Sequence, residues 1–201
     1  MSATLAITVQ DTATPRMAQL MAGLGNRTGL HEAVGREALG LTRNHLIHIA
    51  ATRHATAERL GAAPTGHWAQ AAEKTVETHD ENAATITINQ PGIGRVAHDV
   101  TITPKAGKKF LTIPLAAEAY GQRAYRMNNT FFLRSKAGQL FIARQNGGAR
   151  GGSLVLLYLL VKSVFQKQDR SLLPSDDEYR IAAKLGVRNY VGYLLARGSQ
   201  A

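Results

Sequence analysis

Residues 98–170 read HDVTITPKAGKKFLTIPLAAEAYGQRAYRMNNTFFLRSKAGQLFIARQNGGARGGSLVLLYLLVKSVFQKQDR, and the reading of this stretch decides the fold. Val100 and Ile102 alternate with polar neighbours up to Pro104, the period of a half-buried strand. A basic loop tip follows, Lys105-Ala-Gly-Lys-Lys109, and the segment 110–114 returns as a second strand. Segments 131–134 and 139–143 flank Lys136-Ala-Gly138 and predict a hairpin. The apolar run 154–165 suits a strand buried on both faces or a helix. Its β-branched Val155, Val161 and Val164, and the glycines of 147–152 before it, favour the strand.

Working outward, Thr85-Ile-Thr-Ile-Asn89 alternates strictly and predicts another strand, with a turn at Pro91-Gly-Ile-Gly94. Between Thr28 and Arg59, Leu30, Val34, Ala38, Leu41, His45, Ile49 and Thr52 recur at three- and four-residue steps. That is one apolar stripe of a long helix, with Arg36, Arg43 and Arg53 off it, ended at Gly61-Ala-Ala-Pro64. A short helix is expected over 68–76. Thr14-Pro15 reads as an N-cap with proline at the first helical position, Gly23 ends that turn, and Leu5, Ile7 and Val9 alternate like a short strand.

At the other end, Ser175 and Glu178 form a capping box, and Asp176 and Asp177 place acid where a helix dipole favours it. Tyr179, Ala183, Val187, Tyr190 and Leu194 make the buried stripe expected to pack on the sheet, and Arg197-Gly198 closes the helix. The fold class is therefore α+β, a largely antiparallel β-sheet packed against a long N-terminal helix and a C-terminal amphipathic helix. One domain of 1–201 is expected: an appendage (1–27), a helical part (28–83), a β-rich basic part (84–174) and the C-terminal helix (175–197).

The 201 residues are 44% apolar and 19% charged, which suits a packed core. The absence of cysteine excludes disulfides, thiolate metal sites and cysteine nucleophiles, and fits folding in a reducing compartment. The opening MSATLAITVQ has neither a basic n-region nor a long apolar run, so no signal peptide is expected. The longest apolar run, 154–161, is far short of the roughly 20 residues that span a bilayer as a helix, so no membrane partner is expected.

Charge is lopsided. Residues 1–100 hold eight Lys and Arg against nine Asp and Glu, and residues 101–201 hold sixteen against five, so the formal +10 belongs to the second half. Such a field attracts polyanions. Lys105, Lys108 and Lys109 cluster in one loop, Arg123 and Arg126 follow a turn, and Arg144, Arg150, Lys162, Lys167 and Arg170 continue the theme. Tyr120, Tyr125, Phe131 and Phe132 are interleaved, as base-stacking surfaces require. The candidate contacts for nucleic acid or an acidic partner are Lys105, Lys108, Lys109, Arg123, Arg126 and Arg150. No helix-turn-helix, zinc-finger or RNA-recognition signature accompanies them, which argues against sequence-specific readout.

Enzyme signatures are missing. Gly92-Ile-Gly94 is too short for a dinucleotide fingerprint, Gly147-Gly-Ala-Arg-Gly-Gly152 lacks the Lys-Ser/Thr end of a P-loop, and no G-x-S-x-G occurs. His45 and His48 stand three apart, with His54 further along the same helix, but no H-E-x-x-H frame surrounds them. No catalytic residue, metal or cofactor is expected.

Ile102-Thr-Pro-Lys105, Lys109-Phe-Leu-Thr-Ile-Pro-Leu115, Glu118-Ala-Tyr-Gly121 and Leu157-Tyr-Leu-Leu-Val-Lys-Ser-Val164 occur in that order. Leu173-Pro174 and the closing helix follow, and Gly66-His-Trp-Ala-Gln-Ala-Ala72 precedes them. In the order and spacing of these words the chain resembles the tailed-phage virion-morphogenesis family, which includes tail-completion proteins, over about residues 28–195. The resemblance implies a structural virion protein, assembled in the host bacterial cytoplasm into the tail or neck. It implies self-association as a ring, hexameric by analogy with tail-tube symmetry, between tail-tube and head–tail connector proteins, with packaged DNA in its lumen. Tail terminator, tail-completion factor and head-closure protein are all open. Two other readings are a non-specific DNA-binding protein of phage packaging and a metalloenzyme dependent on His45, His48 and His54.

Overall fold

The computed structural model describes residues 13–95, 98–147 and 152–197. The strand expected around Leu5–Val9 and the candidate contact Arg150 lie outside them. Helices and antiparallel sheets make the chain α+β, with a long helix in its N-terminal part and another at its C-terminal end. The chain divides into two compact units, one of Met1–Asn44, Lys74–Asn89 and Pro174–Ala201, the other of His45–Glu73 and Gln90–Leu173. These units cut across the expected segments, because the hairpin after residue 74 belongs with the first unit rather than with the β-rich part.

The first unit contains α1 (Ala13–Gly25), most of α2 (Arg27–Thr52), the β1–β2 hairpin (Thr75–His79 and Ala84–Ile88) and α5 (Asp176–Arg197). The capping box forms: Glu178 N donates to Ser175 Oγ at 3.3 Å and Ser175 N to Glu178 Oε2 at 2.7 Å. Three tyrosine- and glycine-based contacts then join the helices. Thr42 gives its hydroxyl proton to Ala38 O, so the Tyr179 hydroxyl donates to Thr42 Oγ1, 2.8 Å away. Gly186 lets α5 approach α2 so closely that a Cβ there would lie 2.6 Å from Val34 Cα. Tyr190 Oη donates to Gly23 O at 2.9 Å, beside the break between α1 and α2.

The α5 stripe packs on helices α1 and α2, and Gly186 takes the buried place expected for Val187, which is exposed. In α2 the buried positions are Gly35, Thr42, Leu46 and Ile49; Ile49 is in the expected stripe, and the other three lie one residue on from Val34, Leu41 and His45. The helix expected over 68–76 ends at Glu73. Thr75, Val76 and Thr78 are β-branched and pair with β2 in register Thr75↔Ile88 to His79↔Ala84.

The second unit takes the end of α2, then α3 (Ala55–Leu60) and α4 (His67–Glu73). The single helix expected to Arg59 breaks at Arg53–His54, where Arg53 Nη1 donates to Ser171 Oγ at 2.8 Å. Six strands follow: β3 (Val100–Ile102), β4 (Leu111–Pro114), β5 (Thr130–Arg134), β6 (Leu140–Asn146), β7 (Ser153–Val161) and β8 (Val164–Gln166). Four form an antiparallel sheet in the order β4-β7-β6-β5, and β3 pairs with β8 separately. The run 154–165 is extended, as its valines suggested, but it is two strands in two sheets, parted at Lys162-Ser163. Strand β7 is central, and Leu157 and Tyr158, at the bulge where β7 has one residue more than β6, are 0% and 1% exposed. They centre a core with Ala119, Ile142 and Leu160. Burying one such side chain is worth roughly 1.5–3 kcal/mol. The Tyr158 hydroxyl, which would be costly to bury bare, donates to the carbonyls of Ala119 and Gln122, both at 3.2 Å.

Candidate nucleic-acid interface

The charge divides by unit more sharply than by half of the sequence. The first unit carries nine Lys and Arg against nine Asp and Glu; the second carries fifteen against five, so the net +10 is its own.

Two turns in the second unit present the predicted cations. Lys105 and Lys108 close one turn, Lys108 N donating to Lys105 O at 3.0 Å, with Gly107 at φ 80° where a side chain would be strained. Lys105, Lys108 and Lys109 are all exposed. The second is the 3-10 turn Ala124–Arg126, flanked by Arg123 in extended conformation. At its tip Tyr125 is 71% exposed. The guanidinium carbons of Arg123 and Arg126 each lie 6.0 Å from its ring centroid, and Arg123 Nη1 donates to the phenol oxygen at 3.1 Å. That hydrogen bond is the main reason the Tyr125 phenol ionises below its ordinary value; desolvation opposes it, and Arg126 and the charges of Arg123 and Lys108 add to the lowering. Since Lys108 acts on Tyr125, the two turns share one neighbourhood.

Beside Tyr125, the edge strand β5 exposes Phe131 and Phe132, the latter 76% exposed. Ala124, Tyr125, Thr130, Phe131, Phe132 and Ile142 line a shallow hollow of about 260 Å³. The aromatics expected to be interleaved with cations are thus brought onto one surface, except Tyr120, which is half-buried elsewhere in the unit.

Not every cation is available. Arg144 is paired with Glu118, and Arg53 with Asp169 at 3.4 Å. Among the described residues, no ion pair involves Lys105, Lys108, Lys109, Arg123 or Arg126. The sequence gives no local sign of this difference, because Glu118 and Asp169 lie 26 and 116 residues from their partners. The set offers positive charge, guanidinium forks and open π-faces, the means of binding a phosphate backbone and stacking bases.

The histidine helix is arranged otherwise. His45 Nε2 lies 3.3 Å from Ser171 O, and His48 is exposed. Among the described residues, no three His, Asp or Glu side chains converge as a metal would require. No described helix is long and apolar enough to cross a membrane. No protein-family model matches the chain, and comparison with curated proteins and with solved structures gives no match.

Proposed function

We propose that this chain is a structural protein of a tailed-phage virion, completing the tail or joining tail to head as one subunit of an oligomeric ring at the neck. The observation that carries this reading is how the family-like words meet. Ile102 pairs with Val164, and β4 pairs with β7 from Leu111↔Val161 to Pro114↔Tyr158. The Tyr158 hydroxyl bonds the carbonyls of Ala119 and Gln122, within and beside the Glu118–Gly121 word. Words scattered over sixty residues thus meet, three of them around the Leu157–Tyr158 core and the Ile102 word in the separate β3–β8 pair, which is what a shared scaffold requires and a shared catalytic site does not.

Exposed apolar side chains support the assembly. On α1, Met17, Met21 and Leu24 are exposed at i, i+4 and i+7; on α5, Ile181, Leu185 and Leu195 are exposed. Such helix faces favour association, and the net neutrality of their unit removes bulk repulsion between copies. The ring is hexameric by analogy with tail tubes, sits between tail-tube and connector proteins in the virion, and turns basic surface to the DNA passing through it. In the producing phage, deletion of the gene should leave DNA-filled heads unjoined to tails, or tails of uncontrolled length. Normal virions from a clean deletion would overturn the proposal.

The unpaired cations favour a second reading, a non-specific DNA-binding protein of genome packaging. It requires tight, salt-sensitive DNA binding by the isolated monomer, whereas a ring subunit binds weakly until copies are linked.

A further inference from the structure

The basic unit holds a second concavity, which the assembly role does not use. It measures about 450 Å³, and its lining includes Arg53, His54, His67, Trp68, Arg95 and Tyr120, with no Asp or Glu. We propose that this cavity binds a nucleoside 5′-phosphate, the base against Trp68 and Tyr120 and the phosphate on Arg95.

The volume falls within the roughly 300–1,000 Å³ of small-molecule sites. Its lining combines flat apolar faces with several donors, the pairing that a base joined to a phosphate demands. Trp68 is held in place: the His67 ring meets it edge-on, centroids 5.4 Å apart at 77°. His67 is itself oriented, because Gln90 Nε2, a donor, lies 3.2 Å from its Nδ1. Nδ1 therefore accepts, and the ring proton sits on Nε2 as a donor. Arg53 is already engaged by Ser171 Oγ at 2.8 Å and Asp169 Oδ2 at 3.4 Å, which leaves the phosphate to Arg95. Arg95 ends the 3-10 turn Ile93–Arg95, which is anchored by buried Ile93, and no carboxylate pairs with it among the described residues. A guanidinium that is exposed, unpaired and rigidly based is suited to a phosphate fork. A carboxylate-free lining selects anions, and the aromatic faces favour a nucleotide over inorganic phosphate.

The same chemistry has two sources, a free mononucleotide or the terminal nucleotide of a strand. Trp68 is the only tryptophan in the chain, so its fluorescence reports on the cavity directly. The full-length protein is titrated with AMP, adenosine, inorganic phosphate and a 5′-phosphorylated oligonucleotide. AMP should change Trp68 emission saturably, adenosine and phosphate should bind at least tenfold more weakly, and Arg95→Ala should weaken AMP at least tenfold while Arg95→Lys recovers part of the loss. Changing Lys105, Lys108 and Lys109 to Glu, none of which lines the cavity, should alter AMP affinity by less than about twofold. An Arg95-dependent preference for the oligonucleotide identifies a strand end as the source, and equal affinity a free nucleotide; either upholds the site. No saturable change with AMP, or a change indifferent to Arg95→Ala, overturns it. This outcome is independent of the virion role, which the gene deletion tests.

Discussion

The helical unit around α5 and the β unit around β7 bury their interiors by different means. In the first, small residues let elements close: Gly186 against Val34 and Gly23 against Leu194 between helices, and Gly35 of α2 against Glu77 of strand β1. Tyrosine hydroxyls then tie the closed helices together. In the second, large apolar side chains fill a sheet, and the central strand supplies Leu157, Tyr158 and Leu160. The surfaces differ as well. The helical unit is neutral and exposes aliphatic side chains; the β unit holds the whole +10 and exposes aromatics among arginines. The proposed self-association and polyanion contact thus draw on different parts of one chain, and each can be attacked separately.

The largest effect is expected in the β core. Leu157→Ala removes a fully buried side chain and should cost about 2–5 kcal/mol. Leu194→Ala removes a half-buried one that lies over Gly23, and its cost should fall below that of Leu157→Ala. Thermal unfolding of both variants measures the contrast. Equal losses would mean that glycine-closed helix contacts are as demanding as the sheet core.

A second contrast concerns charge. Changing Lys105, Lys108 and Lys109 to Glu should leave melting within about 0.5 kcal/mol of the parent, since the loop is exposed. It should flatten the log–log salt dependence of DNA binding by the assembled protein by up to about 2.7 for each subunit in contact, at about 0.9 per lost phosphate contact. Changing Arg180, Lys184 and Arg188 to Glu on α5 reverses as much charge in the neutral unit and should leave that slope unchanged. If both triples act alike, only total charge matters and the basic turns have no special role.

These contrasts also mark what could be read from the sequence. The strands were legible because alternation and β-branching are local signals; the capping box was legible because Ser175 and Glu178 are three residues apart. Part of the covered face of α2 lies one residue off the apolar stripe because hydropathy passes over Gly35, which lies against Glu77 of β1, and Thr42, which is hydrogen-bonded to Tyr179 of α5. The lysine cluster was visible as spacing. Its nearness to Tyr125 was not, nor the pairing of Arg144 and Arg53, nor the cavity at Trp68, since each depends on residues distant in the chain.

A smaller effect is expected at the start of α5. Ser175→Ala deletes the hydroxyl that accepts from Glu178 N and should cost about 1 kcal/mol. Glu178 would still accept from Ser175 N, so the loss should be partial. A loss as large as that of Leu157→Ala would show the cap, rather than the helix crossing, to be the main support of α5.

The finest contrast lies within the basic unit, between two tyrosines shifted in opposite directions. Tyr125 is exposed, and the hydrogen bond from Arg123 lowers its pKa, so its phenolate should appear below the ordinary value of about 10. Tyr158 is raised, first by burial and then by the negative charge of Glu118, so it should ionise late. The consequences for stability have opposite signs. Tyr158 binds its proton more tightly in the folded state, so its contribution is complete below pH 10 and is lost as pH rises through its raised value. Tyr125 releases its proton more easily when folded, so its contribution is present above the unfolded value and disappears as pH falls through the lowered one. Full exposure to solvent and salt keeps that second effect small. Ultraviolet absorbance of the phenolates follows both, with Tyr125→Phe identifying the early step. Arg123→Gln should move that step upward and leave the late one in place. If the early step stays put, Arg123 does not hold the phenol, and the aromatic tip loses the contact that positions it among the cations.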